Sequence, residues 1–166
     1  MELRLERGDA WALLRTMLGR AELPPIAREA GGKPCFPGEP HLHFNLSHSG
    51  GLALCGVGRV PLGVDVEQVR PRRAGLARYV LSEEEFAWFT RRGGDWGSLY
   101  TLWTLKEARV KCTGTGLRQA PRTIAVPLLE PGRTGTLDGL TFRAYAGEDW
   151  RAAVCCAGDE RLPERI

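Results

Sequence analysis

Residues 41–69, HLHFNLSHSGGLALCGVGRVPLGVDVEQV, hold three short apolar runs in quick succession, a spacing that suits strands and little else. HLHFNLS alternates like a strand with one buried face. GLALCGVG is a near-continuous buried run, and LGVDVEQV is a third strand. Gly50-Gly51 and Pro61 mark the breaks between them. Helical signals lie on both sides. Asp9 reads as the N-cap of AWALLRTML, which stops at Gly19 and sets Ala10, Trp11, Leu14, Met17 and Leu18 on one face. Ser82 and Glu85 form a capping box ahead of an apolar run. Ser98 is expected to cap a further helix that ends near Gly114. Residues 24–40, rich in Pro and Gly, read as a long ordered loop, the kind that tends to carry function. From RTIAVPLL onward the chain reads as β, with GLTFRAY and WRAAVCCA as a hairpin-like pair. Together these patterns predict an α+β fold, with no repeat legible in the residues themselves.

Composition narrows the class. A chain of 166 residues suits one domain or two very small ones. Its net charge of +3 favours an anionic small molecule or an acidic partner and falls short of a nucleic-acid signature. Five scattered cysteines without a C-x-x-C pair read as reduced thiols of a cytoplasmic protein. No apolar run approaches the roughly 18 residues a membrane span needs. The opening MELRLERGD has no signal-peptide core. Neither a membrane nor a nucleic acid is an expected partner.

Chemistry concentrates in four places. In GVDVE, a strand would bury Val64 and Val66 and set Asp65 and Glu67 side by side on the other face, where they repel unless a cation joins them; a plain solvent-facing surface is the alternative. TLWTLKEARVK places Lys106, Glu107 and Lys111 on an otherwise apolar helix. Glu107 and Lys111 have the spacing of an ordinary ion pair. Alternatively Glu107 joins Asp65 and Glu67 on a hard cation such as Mg²⁺, and the lysines neutralise substrate phosphates. FNLSHSGG admits three readings: a Ser–His pair, a zinc site from His41, His43 and His48, and anion capture by Ser47, His48 and Ser49, which is preferred. Lys33, in GGKPCFP, reads on its own as a solvated loop lysine.

Taken in order, G-K-P, F-N-x-S-H-S, G-V-D-V-E and W-x-x-K-E-A-x-x-K resemble the 4′-phosphopantetheinyl transferases of the surfactin-synthetase-activating type. The likeness runs from about Trp11 to Leu117, through GTGL after the helix, and more faintly into the C-terminal strands. It implies two similar α+β halves forming a pseudo-dimer, with coenzyme A in the cleft between them. Asp65, Glu67 and Glu107 would hold Mg²⁺ and the pyrophosphate. Ser47 and Lys111 would touch that pyrophosphate, His48 the 3′-phosphate and Lys33 the adenine, with Lys106 near the phosphates. Asp65, Glu107 and Lys111 would be the catalytic set. The reaction would move phosphopantetheine onto a serine hydroxyl of an apo acyl or peptidyl carrier protein and release 3′,5′-ADP.

Relatives of this type usually carry several dozen residues before the first matching helix. The resemblance therefore implies a shortened N-terminal half, residues 1–60, and a C-terminal half, residues 61–166, holding the metal site. Arg4, Arg7 and Arg15 are the nearby substitutes for lost basic contacts, and Arg7 is preferred. Weaker coenzyme A binding is expected in consequence. Arg70, Arg72, Arg73 and Arg78 are expected to meet the acidic surface of the carrier protein. A monomer is expected, although a shortened half could favour a dimer. A metal phosphohydrolase and a non-catalytic remnant that binds coenzyme A or carrier protein are the competing functions.

Overall fold

Leu3 and Leu5 alternate with Glu2, Arg4 and Glu6, and this pattern forms a first strand, β1 (Glu2–Arg7), that the motif reading above passes over. The computed structural model describes residues 1–73, 75–116 and 119–166. Helix α1 (Ala10–Leu18) follows, with Asp9 accepting a hydrogen bond from the Ala12 N–H and Gly19 closing it in the left-handed region. Its most deeply buried side chains are Ala10, Leu13 and Leu14, so Leu13 joins the expected face and Trp11, Met17 and Leu18 flank it. The long loop holds one short ladder of β2 (Ala27–Arg28) and β3 (Pro34–Cys35). Strands β4 (His43–Ser49) and β5 (Leu52–Gly58) then pair across the Gly50-Gly51 turn, where both glycines take positive φ.

The four-stranded sheet opens with β6 (Leu62–Gln68). A five-residue helix α2 (Leu76–Val80), too short to leave a periodic signal, precedes α3 (Glu83–Arg91), whose Ser82–Glu85 capping box forms as expected. Helix α4 (Trp96–Thr113) starts earlier than predicted. Its cap is Asp95, which accepts from the Ser98 N–H, so Ser98 lies inside the first turn. Gly114 ends the helix as anticipated. RTIAVPLL is not a strand: a single 3-10 turn at Pro121–Thr123 leads into extended chain, and the β structure resumes with β7 (Thr134–Leu137), β8 (Leu140–Ala146) and β9 (Trp150–Ala157).

Both sheets follow one plan. In the first, order β1-β5-β4, the opening strand pairs antiparallel with the last strand of the following hairpin, and α1 is the crossover between them. In the second, order β6-β9-β8-β7, β6 pairs with β9, β9 with β8, and α4 lies in the crossover. The repeat is one of topology, which is why the residues alone conceal it.

Burial follows the strand alternation. Leu52 and Leu54 of β5 face Val64 and Val66 of β6 and Ala152 and Val154 of β9, forming a core shared by the two sheets. Ala53 and Cys55 turn the other way, onto α1, while Ala153 and Cys155 turn onto α4. A sheet therefore separates each long helix from the shared core. Among the described residues no helix is long and apolar enough to cross a membrane.

The fit of α4 on β6 depends on Gly63. A Cβ there would stand 2.1 Å from the Ala108 carbonyl oxygen and 2.3 Å from the Cys112 nitrogen, both backbone atoms. Gly63→Ala must push the helix off the strand. We expect a loss of about 3 kcal/mol, read as a lower midpoint in urea unfolding. A wild-type midpoint would show that α4 is free to shift.

Candidate active site

Gly63, Asp65 and Glu67 share one face of β6, and the close approach at Gly63 turns that face toward α4. The carboxylates accordingly do not lie on an open solvent surface. Asp65 is 4% exposed and Glu67 is half-buried. Strand β6 is also the edge of its sheet, so its outward N–H groups need partners. They find them in side chains of β4. Asn45 Oδ1 accepts from Val64 N–H at 2.9 Å, Ser47 Oγ from Val66 N–H at 3.2 Å, and Ser49 Oγ from Gln68 N–H at 3.2 Å. Alternate residues of one strand thus cap alternate amides of the other, and this seam joins the two sheets beside the carboxylates.

The hydroxyl protons point at those carboxylates. Ser47 Oγ donates to Asp65 Oδ1 at 2.9 Å, and Ser49 Oγ donates to Glu67 Oε2 at 2.7 Å. From α4, the Lys111 ammonium donates to the same Asp65 oxygen at 2.7 Å, to Ser47 Oγ at 3.1 Å and to the Val64 carbonyl at 3.1 Å. The helix ion pair between Glu107 and Lys111 that their spacing allows is not formed; Lys111 reaches across to Asp65 instead.

Asp65 Oδ2 is buried and, among the described residues, has no hydrogen-bond partner. A buried carboxylate oxygen left bare carries an uncompensated desolvation cost unless a cation or donor meets it. Burial pushes the Asp65 carboxyl above its usual range, against the pull of Lys111 and Ser47. The Glu107 carboxyl is also raised, first by burial and then by the negative charges of Asp65 and Glu67, with Lys111 opposing. Three carboxylates therefore lie within electrostatic reach of one another. Among the described residues, though, no three His, Cys, Asp or Glu side chains are gathered closely enough to hold a metal on their own. Among the described residues the histidines of the zinc alternative are likewise not gathered. His43 and His48 lie on opposite faces of β4, and His41 lies outside the strand.

The raised carboxyl has a signed consequence. Folded Glu107 keeps a proton at pH values where the unfolded chain, titrating near 4.5, has lost it. The stability this contributes is complete below that value and is lost as pH rises through the raised folded value. In metal-free buffer the melting temperature of wild type should decline across that window more steeply than that of Glu107→Gln. Parallel curves for the two proteins would exclude the coupling.

The remaining residues spread over two further regions. His48 is exposed and points away from the carboxylates into a cavity of about 450 Å³ lined by Gly8, Asp9, Trp11, Pro34 and Leu52. Arg7 precedes Gly8 of that cavity, is exposed, and forms no salt bridge among the described residues. The Lys33 ammonium is half-buried rather than free in the loop: it donates to the Leu62 carbonyl at 2.7 Å and to the Cys112 carbonyl at 3.4 Å, tying the loop to β6 and to the end of α4. Desolvation lowers its pKa.

Lys106 requires a correction. Expected near the phosphates, it is 1% exposed, and its ammonium is fixed by Glu85 Oε1 at 2.7 Å and the Ile124 carbonyl at 2.6 Å. Adjacent helix positions point about 100° apart, so Lys106 and Glu107 serve different surroundings. Ser47 is corrected in a narrower sense, since its single proton is already engaged by Asp65. Asn45 is the contributor with no expected role, while Ser49 meets Glu67 rather than an anion and Glu85 holds Lys106 besides capping α3. The two-residue spacing of Asn45, Ser47 and Ser49 was the available signal for the seam.

Beside Glu67 opens a second cavity of about 430 Å³, walled by Leu76, Val80, Tyr100 and Trp103, with Arg72 at its edge donating to the Tyr100 hydroxyl at 2.8 Å. A carboxylate seam thus lies near an apolar wall bearing arginines, with an imidazole-bearing cavity beside β4.

The model of the 4′-phosphopantetheinyl transferase superfamily matches residues 61–155, which takes in β6, α4 and the hairpin through β9. The chain belongs to that superfamily. A Bacillus subtilis 4′-phosphopantetheinyl transferase is 33% identical over 87% of this chain and 70% of its own length. A second from that species, 4′-phosphopantetheinyl transferase ffp, is 36% identical over 90% of this chain and 69% of its own. The transferase HetI of a Nostoc strain is 32% identical over 78% of this chain and 59% of its own. Beside these phosphopantetheinyl transferases the chain is thus matched along most of its length, while part of each relative has no counterpart in it. The last residue of the GTGL motif, Leu117, lies outside the described residues.

Proposed function

We propose that this transferase moves the 4′-phosphopantetheine group of coenzyme A onto a serine hydroxyl of an apo acyl or peptidyl carrier protein and releases 3′,5′-ADP. The observation that carries the reading is the bare, buried Oδ2 of Asp65 beside Glu67 and Glu107, at a seam between two halves. We take those halves as residues 1–60 and 61–166. An all-carboxylate donor set suits Mg²⁺, with waters and substrate phosphate oxygens supplying the ligands that the protein does not. Asp65, Glu67 and Glu107 would hold the ion. Once bound, it would neutralise charge on the pyrophosphate.

The chain's own residues do the rest. Glu107, reaching the site from α4, accepts the proton of the incoming serine. The serine oxygen forms a new bond to the phosphorus bearing pantetheine. The bond from that phosphorus to the bridging oxygen breaks, and the electron pair leaves with 3′,5′-ADP. Lys111, fixed through Asp65 and Ser47, keeps positive charge beside the transferring group. His48 lines the cavity suited to the 3′-phosphate, Arg7 directly precedes Gly8 of its wall, and Lys33 holds the loop flanking it. The arginines near the apolar cavity, Arg72 and Arg73, face the carrier protein, with Arg70 and Arg78 on the same segment.

The test is intact-protein mass spectrometry of an apo carrier protein incubated with this protein, coenzyme A and Mg²⁺. A phosphopantetheine mass increment that disappears with EDTA supports the reading. Coenzyme A binding without an increment on any of several carriers favours a non-catalytic binder. Cleavage of coenzyme A without carrier favours a phosphohydrolase.

A further inference from the structure

We infer that Ser49 is a positioning residue for Glu67, and that the seam between β4 and β6 presets the carboxylate pair before any ligand arrives. The inference rests on the reading of Asp65 and Glu67 as cation-binding groups. A serine hydroxyl has one proton and two lone pairs. At Ser49 one lone pair receives the Gln68 N–H at 3.2 Å, which anchors the oxygen to the backbone of β6. The proton then goes to Glu67 Oε2 at 2.7 Å. Ser47 repeats this two residues earlier: it receives the Val66 N–H at 3.2 Å and donates to Asp65 Oδ1 at 2.9 Å. Because both strands have a period of two, the pattern serine to carboxylate is copied in register along the seam.

The consequence is chemical. Each serine occupies one oxygen of its carboxylate and leaves the other without a hydroxyl partner. For Asp65 that second oxygen is the buried, unpartnered Oδ2. For Glu67, a longer and half-buried side chain with more rotamers to lose, the serine bond is, among the described residues, the hydrogen bond holding it. Lys111 helps to fix Asp65 but makes no bond to Glu67. Ser49 therefore matters more to Glu67 than Ser47 does to Asp65. Its hydroxyl is spent on the Gln68 N–H and on Glu67, so it acts through the carboxylate that it aims.

The experiment compares wild type, Ser49→Ala and Ser49→Thr for Mn²⁺ binding, read by the loss of the free-ion electron paramagnetic resonance signal in the presence of coenzyme A. Thermal melts and coenzyme A binding are recorded beside it. The expected result is a fivefold or greater rise in the Mn²⁺ dissociation constant for Ser49→Ala, with coenzyme A affinity within twofold of wild type. Ser49→Thr, which keeps the hydroxyl, should recover the wild-type constant. In transfer assays the Mg²⁺ concentration giving half-maximal rate should rise for Ser49→Ala while kcat at saturating Mg²⁺ changes little. A wild-type Mn²⁺ constant in Ser49→Ala, with or without a lower melting temperature, overturns the inference. If Ser49→Ala does not fold, Ser49→Cys, a near-isosteric and weaker donor, is measured against the same criteria. A wild-type protein that binds no Mn²⁺ overturns the cation reading itself, an outcome distinct from failure of the positioning role alone.

Discussion

Glu107→Gln should lower phosphopantetheine transfer at least a thousandfold while leaving the protein folded. A thousandfold corresponds to about 4 kcal/mol of transition-state stabilisation, within the range of a lost base or ligand charge. The separation of activity from stability follows from the surroundings of the residue. Glu107 is half-buried on α4, and among the described residues no protein group donates a hydrogen bond to its carboxylate. Replacing it breaks no packing. The amide also removes a negative charge that burial, Asp65 and Glu67 all disfavour, so the melting temperature in metal-free buffer should stay level or rise. Functional groups commonly impose this kind of stability cost. Rates by mass spectrometry and melts on the same preparations decide the matter. A Gln variant within tenfold of wild type would remove Glu107 from the reaction.

Lys106→Met should behave in the opposite way, with a large stability loss and little change in chemistry. The Lys106–Glu85 pair is sealed, the two residues being 1% and 4% exposed. Removing the ammonium leaves the Glu85 carboxylate in the core with one oxygen abandoned, while its other oxygen still accepts the Ser82 N–H at 2.7 Å. Breaking one side of a buried pair costs about 3–5 kcal/mol. For a chain of this size that is a fall in melting temperature of roughly 6–20 °C. A second substitution, Glu85→Gln, should restore most of the loss, because Gln keeps the acceptor for Ser82 and removes the stranded charge. At a temperature where Lys106→Met remains folded, its KM for coenzyme A should lie within threefold of wild type. A tenfold rise in that KM would mean that Lys106 reaches the phosphates after all, against its placement beside Glu85.

These expectations treat neighbouring residues of one motif in opposite ways, and the chain holds only three lysines on which to do so. All three serve fixed contacts. Lys33 binds two backbone carbonyls, Lys106 a buried glutamate and a carbonyl, and Lys111 an aspartate, a serine and a carbonyl. The sequence offers Lys106 and Lys111 as phosphate-binding cations and Lys33 as a loop lysine beside the adenine, because the type of residue and the motif spacing are all it displays. Which acceptor meets each ammonium depends on elements far apart along the chain.

What the sequence determined by itself was local. The caps at Asp9 and Ser82, the stop at Gly19 and Gly114, and the turn at Gly50-Gly51 each follow from interactions within a few residues, so they could be read directly. The alternation in GVDVE likewise set Asp65 and Glu67 on one face of β6. Strand β1 carried a readable alternation in Leu3 and Leu5, whereas α2 at five residues carried none. Asp95 and Ser98 are both good caps, and only the extent of α4 separates them. The tertiary structure decided what the carboxylate face meets. Packing α4 at Gly63 buried Asp65, and laying β4 along the free edge of β6 delivered Ser47 and Ser49 to the carboxylates and left Asp65 Oδ2 bare. Both depend on contacts between segments separated by 18 to 49 residues. Hydrogen bonds and charges act through space, so pairings at that separation leave no periodic trace in the chain.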